Sequence, residues 1–313
     1  MEESVVKNIL VIGSINVDYV IGTARLPKLG ETIVGSNFSM NFGGKGANQA
    51  SALAKQGCCV KMLGAVGKDL SGELAVKNLA SFGIDCSDVI RVDAPTGAAV
   101  ITVCSGDNHI ILDIGANAYV TPSLIAEKES LFDWAEAVVL QLEIPTESVI
   151  AAAKTARAHG KTVILNPAPV KEIDAEIYRY VDYLIPNEFE AQLITGIEQN
   201  TDEDAARAIE ALRAMGCREA IVTLGKRGCA YSDGDVVSYN GIYPVTAVDT
   251  TAAGDSFIGG ICARMDGVRP MKEVLAYAAA VSAITVSRPG ASVSIPTADE
   301  VAAFLATHAM VRE

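Results

Sequence analysis

Short runs of Val, Ile and Leu recur along this chain, each followed by a stretch of helix length. No other feature constrains the fold as much. The runs are Ile9–Gly13, Ala137–Gln141, Thr162–Asn166, Tyr183–Ile185 and Ala220–Leu224. Strands apolar on both faces must be covered on both faces, as in a parallel sheet flanked by its crossover helices. Thr146 to His159 reads as one such helix, with Thr146 as N-cap, Glu147 in the first turn and Gly160 just past its end. Thr201 to Met215 is another, stopped by Gly216. The pattern predicts a doubly wound, mostly parallel α/β sheet whose ligands sit at the carboxyl ends of the strands.

Two regions break this rhythm, residues 19–42 and 96–116. In the second, Ala98–Val103 and His109–Asp113 flank the turn-like Ser105-Gly-Asp-Asn108. A hairpin with neighbouring strands would form a small sheet with an apolar face, which must cover a cleft, pair with another subunit, or both. With 313 residues, half of them apolar, a chain of this length buries a large core without metal or disulfide staples. We therefore expect one α/β domain over 1–313, with a small β-sheet lid made by the two inserted segments.

Acidic side chains outnumber basic ones 38 to 25, a formal charge of −13, which repels nucleic acid and anionic membranes. No Lys/Arg run offsets it, so neither partner is expected. The start, Met1-Glu-Glu-Ser4, lacks the basic region of a signal peptide, and Ala276–Val286 is interrupted by Ser282 and Thr285 and too short to span a bilayer. Cytoplasmic location follows as the expectation. The seven cysteines are odd in number and without Cys-x-x-Cys spacing, and most read as buried small apolar residues. His109, His159 and His308 are too scattered for a zinc site or a Ser/His/Asp triad.

The densest glycine signal is Asn41-Phe-Gly-Gly-Lys-Gly-Ala-Asn48. It is no P-loop: the one Gly-Lys-Thr, Gly160–Thr162, has Thr155 where the leading glycine belongs. Nor is it a dinucleotide fingerprint, because the third glycine position after Gly44-x-Gly46 is Gln49 and no strand is read ahead of it. Glycines here let backbone amides approach a ligand at the start of a helix through Ala50–Lys55, with Lys45 and Asn48 adding directed hydrogen bonds. A turn before a helix would look the same.

The second signal is Val248-Asp-Thr-Thr-Ala-Ala-Gly-Asp-Ser-Phe257, a small-residue turn entering an apolar helix. Its amides at Ala252, Ala253 and Gly254 would make an anion site at the helix N-terminus. A carboxylate within such a turn, Asp255, makes sense if it takes a proton from an alcohol attacking a phosphoryl group held by those amides. Capping the helix is the alternative.

Taken together and in order, the segments resemble the PfkB family of sugar kinases, and within it the ribokinases. The likeness is carried by Gly13-Ser-Ile-Asn-Val-Asp18, Pro27-x-x-Gly-Glu-Thr32, Gly43–Ala50, Gly115-Ala-Asn117, Gln141-Leu-Glu143, Asn166-Pro-Ala-Pro169, Pro186-Asn-Glu-x-Glu190, Thr223-Leu-Gly-x-x-Gly228, Val248–Phe257 and Arg288-x-Gly-Ala291. The resemblance implies that Asn16, Asp18, Gly43, Gly44, Lys45, Asn48 and Glu143 surround sugar hydroxyls, with Asp255 as base and Ala252, Ala253 and Gly254 as anion hole. Carboxylates and carboxamides suit diols, and Lys45 alone offers positive charge, so a neutral sugar is favoured over a sugar phosphate.

It further implies ATP as phosphoryl donor, with Asn187 and Glu190 acting on Mg²⁺ and phosphates, Thr223, Gly225 and Gly228 along the nucleotide, and Ala279 near the adenine. A monovalent cation, K⁺, falls to the positions Asp249, Thr251, Thr285, Arg288, Gly290 and Ser294. On the residues alone, Asn187 and Glu190 read as a helix cap and a surface acid. The expected reaction is phosphorylation of D-ribose to ribose 5-phosphate by a homodimer joined through the lid. 2-Deoxyribose, a hexose such as fructose, a nucleoside stacked on Tyr19, Phe38 or Phe42, and a sugar sensor without catalysis remain the alternatives.

Overall fold

The computed structural model describes residues 7–104, 107–172 and 174–312. Its strands are β1 (Asn8–Ile12), β2 (Asn16–Thr23), β3 (Ser36–Gly43), β4 (Cys59–Leu63), β5 (Ala65–Gly67), β6 (Ile90–Val92), β7 (Gly97–Cys104), β8 (Asp107–Asp113), β9 (Ala137–Leu140), β10 (Thr162–Leu165), β11 (Tyr183–Leu184), β12 (Glu219–Thr223), β13 (Cys229–Asp233) and β14 (Val236–Asn240). Eight of them form the main sheet in the order β14-β13-β12-β11-β10-β9-β1-β4. From β4 to β12 the pairings are parallel, and β13 and β14 add an antiparallel edge.

Alternate residues of one strand feed two different cores, because side chains point to opposite faces with a period of two. Leu10, Ile12, Val138, Leu140, Val163 and Leu165 join one buried cluster, while Ile9, Val11, Ala137, Val139 and Ile164 join the other. Helices cover both faces. Helix Asp202–Ala214 begins with Thr201 and Asp204 in a reciprocal capping box. The helix after β9 starts differently from expectation: Pro145, with φ −54°, occupies the N-cap position, and Thr146 is the first helical residue. The proline ring sets the extended entry by itself, so no side-chain cap is used there. Gly160 and Gly216 end their helices at positive φ.

The four strands β3-β2-β7-β8 make a separate small sheet, with β2 and β7 parallel and the outer pairs antiparallel. An eight-residue strand, β3, therefore does precede the Gly43–Gly46 cluster, contrary to the reading from sequence. It escaped notice because Ser36-Asn-Phe-Ser-Met-Asn alternates on a largely exposed surface instead of forming an apolar run. The motif still differs from a dinucleotide fingerprint, because β3 lies at the edge of the small sheet, antiparallel to β2, and Gln49 takes the third glycine's place. Residues 105 and 106 of the expected hairpin turn lie outside the described residues. The following helix runs from Lys45, not Ala50, to Lys55, and the one after the second motif spans Ala253–Arg264.

Cys217, Cys229 and Cys262 are buried as expected, but Cys58, Cys86 and Cys104 are half-buried and Cys59 is exposed; no disulfide joins them. Among the described residues, no helix is long and apolar enough to cross a membrane.

Candidate active site

The parallel strands all end on one side, and the residues just past those ends converge. Ser14 and Asn16 follow β1, Gln141 and Glu143 follow β9, Asn166 follows β10, Asn187 follows β11, and Thr223 closes β12. The small sheet is rooted at the same place, where Asn16 pairs in register with both Gly43 and Gly97.

Asp255 is the third residue of helix Ala253–Arg264 and is buried. Both carboxylate oxygens accept amide hydrogens: Asn48 Nδ2 donates to Oδ2 at 3.2 Å and Gln49 Nε2 to Oδ1 at 3.0 Å. Burial raises the Asp255 pKa, opposed by the Lys45 ammonium and by these two amides, which favour the charged form. The turn before it holds Ala252 at φ 60°, a left-handed conformation that costs a residue with a Cβ about 1–2 kcal/mol. A side chain built at Gly254 would meet nothing within 4 Å, so the backbone there is open to a ligand. Of the three amides expected to bind an anion, that of Ala253 already donates to the Thr250 carbonyl at 3.2 Å. An incoming anion would have to compete for it.

Around the glycine cluster, Glu143 Oε2 accepts from Ser14 Oγ at 2.5 Å and from the Lys45 amide at 2.9 Å, with Asn16 Nδ2 at 3.5 Å. Asn16 is held by Asn117, whose Nδ2 donates to Asn16 Oδ1 at 2.7 Å. Asp18 packs over Gly43, where any Cβ would fall 2.1 Å from Asp18 Oδ2. Burial, with Glu143 and Asp255 nearby, pushes its pKa up to about 6. Gly44 sits at φ 90°, with its would-be Cβ 2.8 Å from the Asn16 amide. Burial alone would depress the pKa of Lys45, but Asp255, Glu143 and Glu190 outweigh it and raise it, so its ammonium stays charged.

Asn187 and Glu190 form a reciprocal capping box on helix Glu188–Thr195, each bond 2.8 Å. Asn187 is thus the cap its residue type announced, but Glu190 is buried and not a surface acid. Its burial raises its pKa against the Asn187 amide and Lys45. One cleft joins Lys45, Asn187, Glu190, Thr223 and the Ala252–Asp255 turn, with Asn166 in its wall. Gly225 and Gly228, at φ 54° and 86°, frame the tight turn after Thr223. Ala279 lies half-buried on helix Met271–Val286, packed against two core clusters and outside that lining.

Asp249 bridges two loops, accepting from the Thr251 amide at 2.9 Å and the Gly290 amide at 3.0 Å. The Thr285 and Ser294 hydroxyls bond the carbonyls of Val281 and Ala291, and Arg288 reaches away to Glu300 at 2.8 Å. Asp249 is the one carboxylate among these positions, and the Thr285 and Ser294 hydroxyls are already engaged. Among the described residues, no group of three or more His, Cys, Asp or Glu side chains gathers as a metal cluster.

Sequence reasoning assigned no role to Ser14, Gln49, Asn117, Gln141 and Asn166. A signal existed: Gln141 and Asn166 each stand directly after the apolar run of a buried strand, Ala137–Leu140 and residues 163–165, where a buried polar residue needs partners and ligands collect.

A buried carboxylate in the first turn of a helix whose glycine entry is open, facing amides and carboxylates suited to hydroxyl groups, is the site of a class: small-molecule phosphotransferases. Residues 6–298 match the pfkB family carbohydrate kinases, and the chain belongs to that family. It is 36% identical over 301 residues to the ribokinase of Haemophilus influenzae, covering 96% of this chain and 98% of that one. It is 34% identical over 301 residues to a deoxyribokinase of Salmonella typhimurium, covering 95% and 98%. The solved structure of Arabidopsis thaliana ribokinase complexed with ribose and ATP superposes with a TM-score of 0.91 at 33% identity, over 96% of this chain and 99% of that one. The chain is an ATP-dependent carbohydrate kinase of the ribokinase type.

Proposed function

We propose that this chain transfers the γ-phosphoryl group of ATP to the 5-hydroxyl of D-ribose, with Asp255 as general base. The observation that carries the reading is the setting of Asp255: buried, with a donor on each oxygen, in the first turn of a helix whose entry is open at Gly254. Asn48 adds a second support. Its Nδ2 faces Asp255, leaving Oδ1 buried without a partner, an acceptor waiting for a hydroxyl donor. Asn16, Asp18, Gly43, Gly44, Lys45 and Glu143 complete the sugar pocket, and Lys45 also balances the carboxylates around it.

The sugar hydroxyl gives its proton to Asp255 as its oxygen attacks in line, and the turn amides take up charge on the transferring group. Asn187, Glu190 and Thr223 face the phosphates, Gly225 and Gly228 the nucleotide, and Ala279 the adenine side. Mg²⁺ bound with ATP would neutralise phosphate charge, and the buried Glu190 carboxylate with Asn187 suits an ion that keeps most of its waters. Asp249, Thr251, Thr285, Arg288, Gly290 and Ser294 would hold K⁺ through carbonyls and one carboxylate, steadying the turn that Asp249 already ties to Gly290. The small sheet acts as the lid that excludes water during transfer.

Phe38, Met40, Val100, Ile110, Ile111 and Leu112 leave that sheet with exposed apolar side chains, which supports a homodimer formed through it. Free sugar and ATP as substrates support a cytoplasmic site of action. A second reading, 2-deoxyribose as substrate, is favoured by the deoxyribokinase at 34% identity. Against a nucleoside, Tyr19 and Phe38 already stack on each other, with ring centroids 6.4 Å apart.

An ADP-release assay with ATP and Mg²⁺ over ribose, 2-deoxyribose, fructose and adenosine, each with and without K⁺, tests the reading. Ribose turnover that rises with K⁺ is expected. Faster turnover of another acceptor would replace the substrate, and no turnover of any would overturn the catalytic assignment.

A further inference from the structure

Beneath Asp255 lies a buried chain of carboxamides that the reaction as proposed does not use. Gln49 Nε2 donates both to Asp255 Oδ1 at 3.0 Å and to Asn166 Oδ1 at 3.3 Å. Gln141 Nε2 donates to Gln49 Oε1 at 2.6 Å, and Asn166 Nδ2 donates to the Ile185 carbonyl at 2.9 Å. All three amide side chains are buried.

The ends of this chain set its polarity. A carboxylate only accepts, so the Gln49 NH₂ group must face Asp255 and its oxygen must face Gln141; a carbonyl only accepts, so Asn166 must turn its oxygen to Gln49. Gln141 then has to present its own NH₂ group to Gln49. Its oxygen is buried without a partner and points at Gly13, where a Cβ would lie 1.9 Å from it. The absence of a side chain at position 13 makes room for a glutamine that pays one unsatisfied acceptor to keep its donor on Gln49.

We propose that Gln141 is a positioning residue for the base: by donating to Gln49 Oε1 it holds the Gln49 amide with its NH₂ group on Asp255 Oδ1. Without it, Gln49 Oε1 is left buried without its donor, and the amide is tethered only through the two acceptors of its NH₂ group, Asp255 Oδ1 and Asn166 Oδ1. The Gln49 side chain can then shift toward Asn166, and Asp255 loses part of a donor. Gln141 is fully buried and lies outside the lining of the cleft, so it acts through Gln49. The inference rests on Asp255 being the general base.

The test compares Gln141→Met, Gln49→Met, the double variant and Asp255→Asn, following kcat against pH at saturating ribose and ATP so that the bound state is titrated. For Gln141→Met we expect kcat at pH 7 to fall roughly tenfold, as misplacement of a reacting group does, with the KM for ATP unchanged. The acid limb of the profile should move up by about one pH unit, because a donor to the charged form is lost. The double variant should be no slower than Gln49→Met alone, which a general loosening of the core would not produce. If Gln141→Met proves too unstable to assay, Gln141→Leu also removes the donor without adding a charge, and should show the same shifted limb. An unmoved limb, or additive losses in the double variant, overturns the role of Gln141. Asp255→Asn that keeps the wild-type acid limb overturns the base assignment itself.

Discussion

The two sheets of this protein are built from the same chain under opposite conditions. In the main sheet, Leu10 and Ile12 face one core and Ile9 and Val11 the other, and none of the four is more than 1% exposed. In the small sheet, Phe38, Ile110 and Ile111 are 66%, 60% and 74% exposed. The first stacks elements that can shift only by opening the core; the second is attached to the body through the residues at its root. Each contributes a different part of the site. Asp255, the anion turn and the Asn187–Glu190 pair stand on the rigid body, whereas Asn16, Asp18 and Gly43 belong to strands of the small sheet. Under the proposed mechanism, the groups that need fixed geometry stand on the body, and those proposed to meet the sugar stand on the small sheet.

The largest effect that would sharpen this contrast is on the rigid side. Asp255→Asn should lower kcat by about 10²–10⁴-fold with the fold intact, measured by ADP release alongside the melting temperature. Retention of more than a few per cent of wild-type kcat would remove Asp255 from the role of base.

Next comes a paired test of the sheets. Leu10→Ala should cost about 2–5 kcal/mol of stability in denaturant unfolding, while Ile111→Ala should change it by no more than about 0.5 kcal/mol. Equal costs would break the comparison and mean that another surface covers Ile111.

On the small-sheet side, Asp18 loses its charge as pH falls through about 6, and a neutral carboxyl accepts fewer hydroxyl hydrogens. The KM for sugar should therefore rise below pH 6 while kcat follows a different limb. Asp18→Asn should show a high KM that no longer varies there, and an Asn variant that retains the wild-type pH dependence would assign the titration to another group.

The smallest effect lies on the body surface, where Glu129 and Asp133 each hold a ring nitrogen of His159 at 2.9 Å. Hydrogen bonds to Glu129 and then Asp133 raise the His159 pKa above 6.5. The contribution to stability is complete below pH 6.5 and is lost as pH rises through the folded-state value. The melting temperature should decline slightly across that window, and His159→Gln should flatten the decline.

Legibility followed burial. Apolar runs such as Ala137–Leu140 and Thr162–Leu165 announce themselves because strands covered on both faces tolerate nothing else. β3 stayed hidden because a strand exposed on its faces has no such demand. The helix after Pro145 is legible in its residues but its cap is not, since proline geometry replaces the side-chain cap that Thr146 suggests. Within the site, Asp255 and the Gly43–Gly46 cluster were legible as local chemistry. Glu190 was pointed to only by the family pattern; on the residues alone its place three positions after Asn187 signals a helix cap, and its burial depends on what packs over the helix start.

The sequence by itself determined the layered α/β architecture, the two glycine-bearing turns and the residue types available for binding a polyol and a phosphate, because period, backbone conformation and side-chain chemistry are local properties. Only the tertiary structure decided that Asn48 and Gln49 meet Asp255 from a helix two hundred positions away, that Gln141 reaches Gln49 across the space left by Gly13, and that Lys45 stands among three carboxylates. Those facts depend on which strand ends lie side by side, and that follows from the order of strands in the sheet.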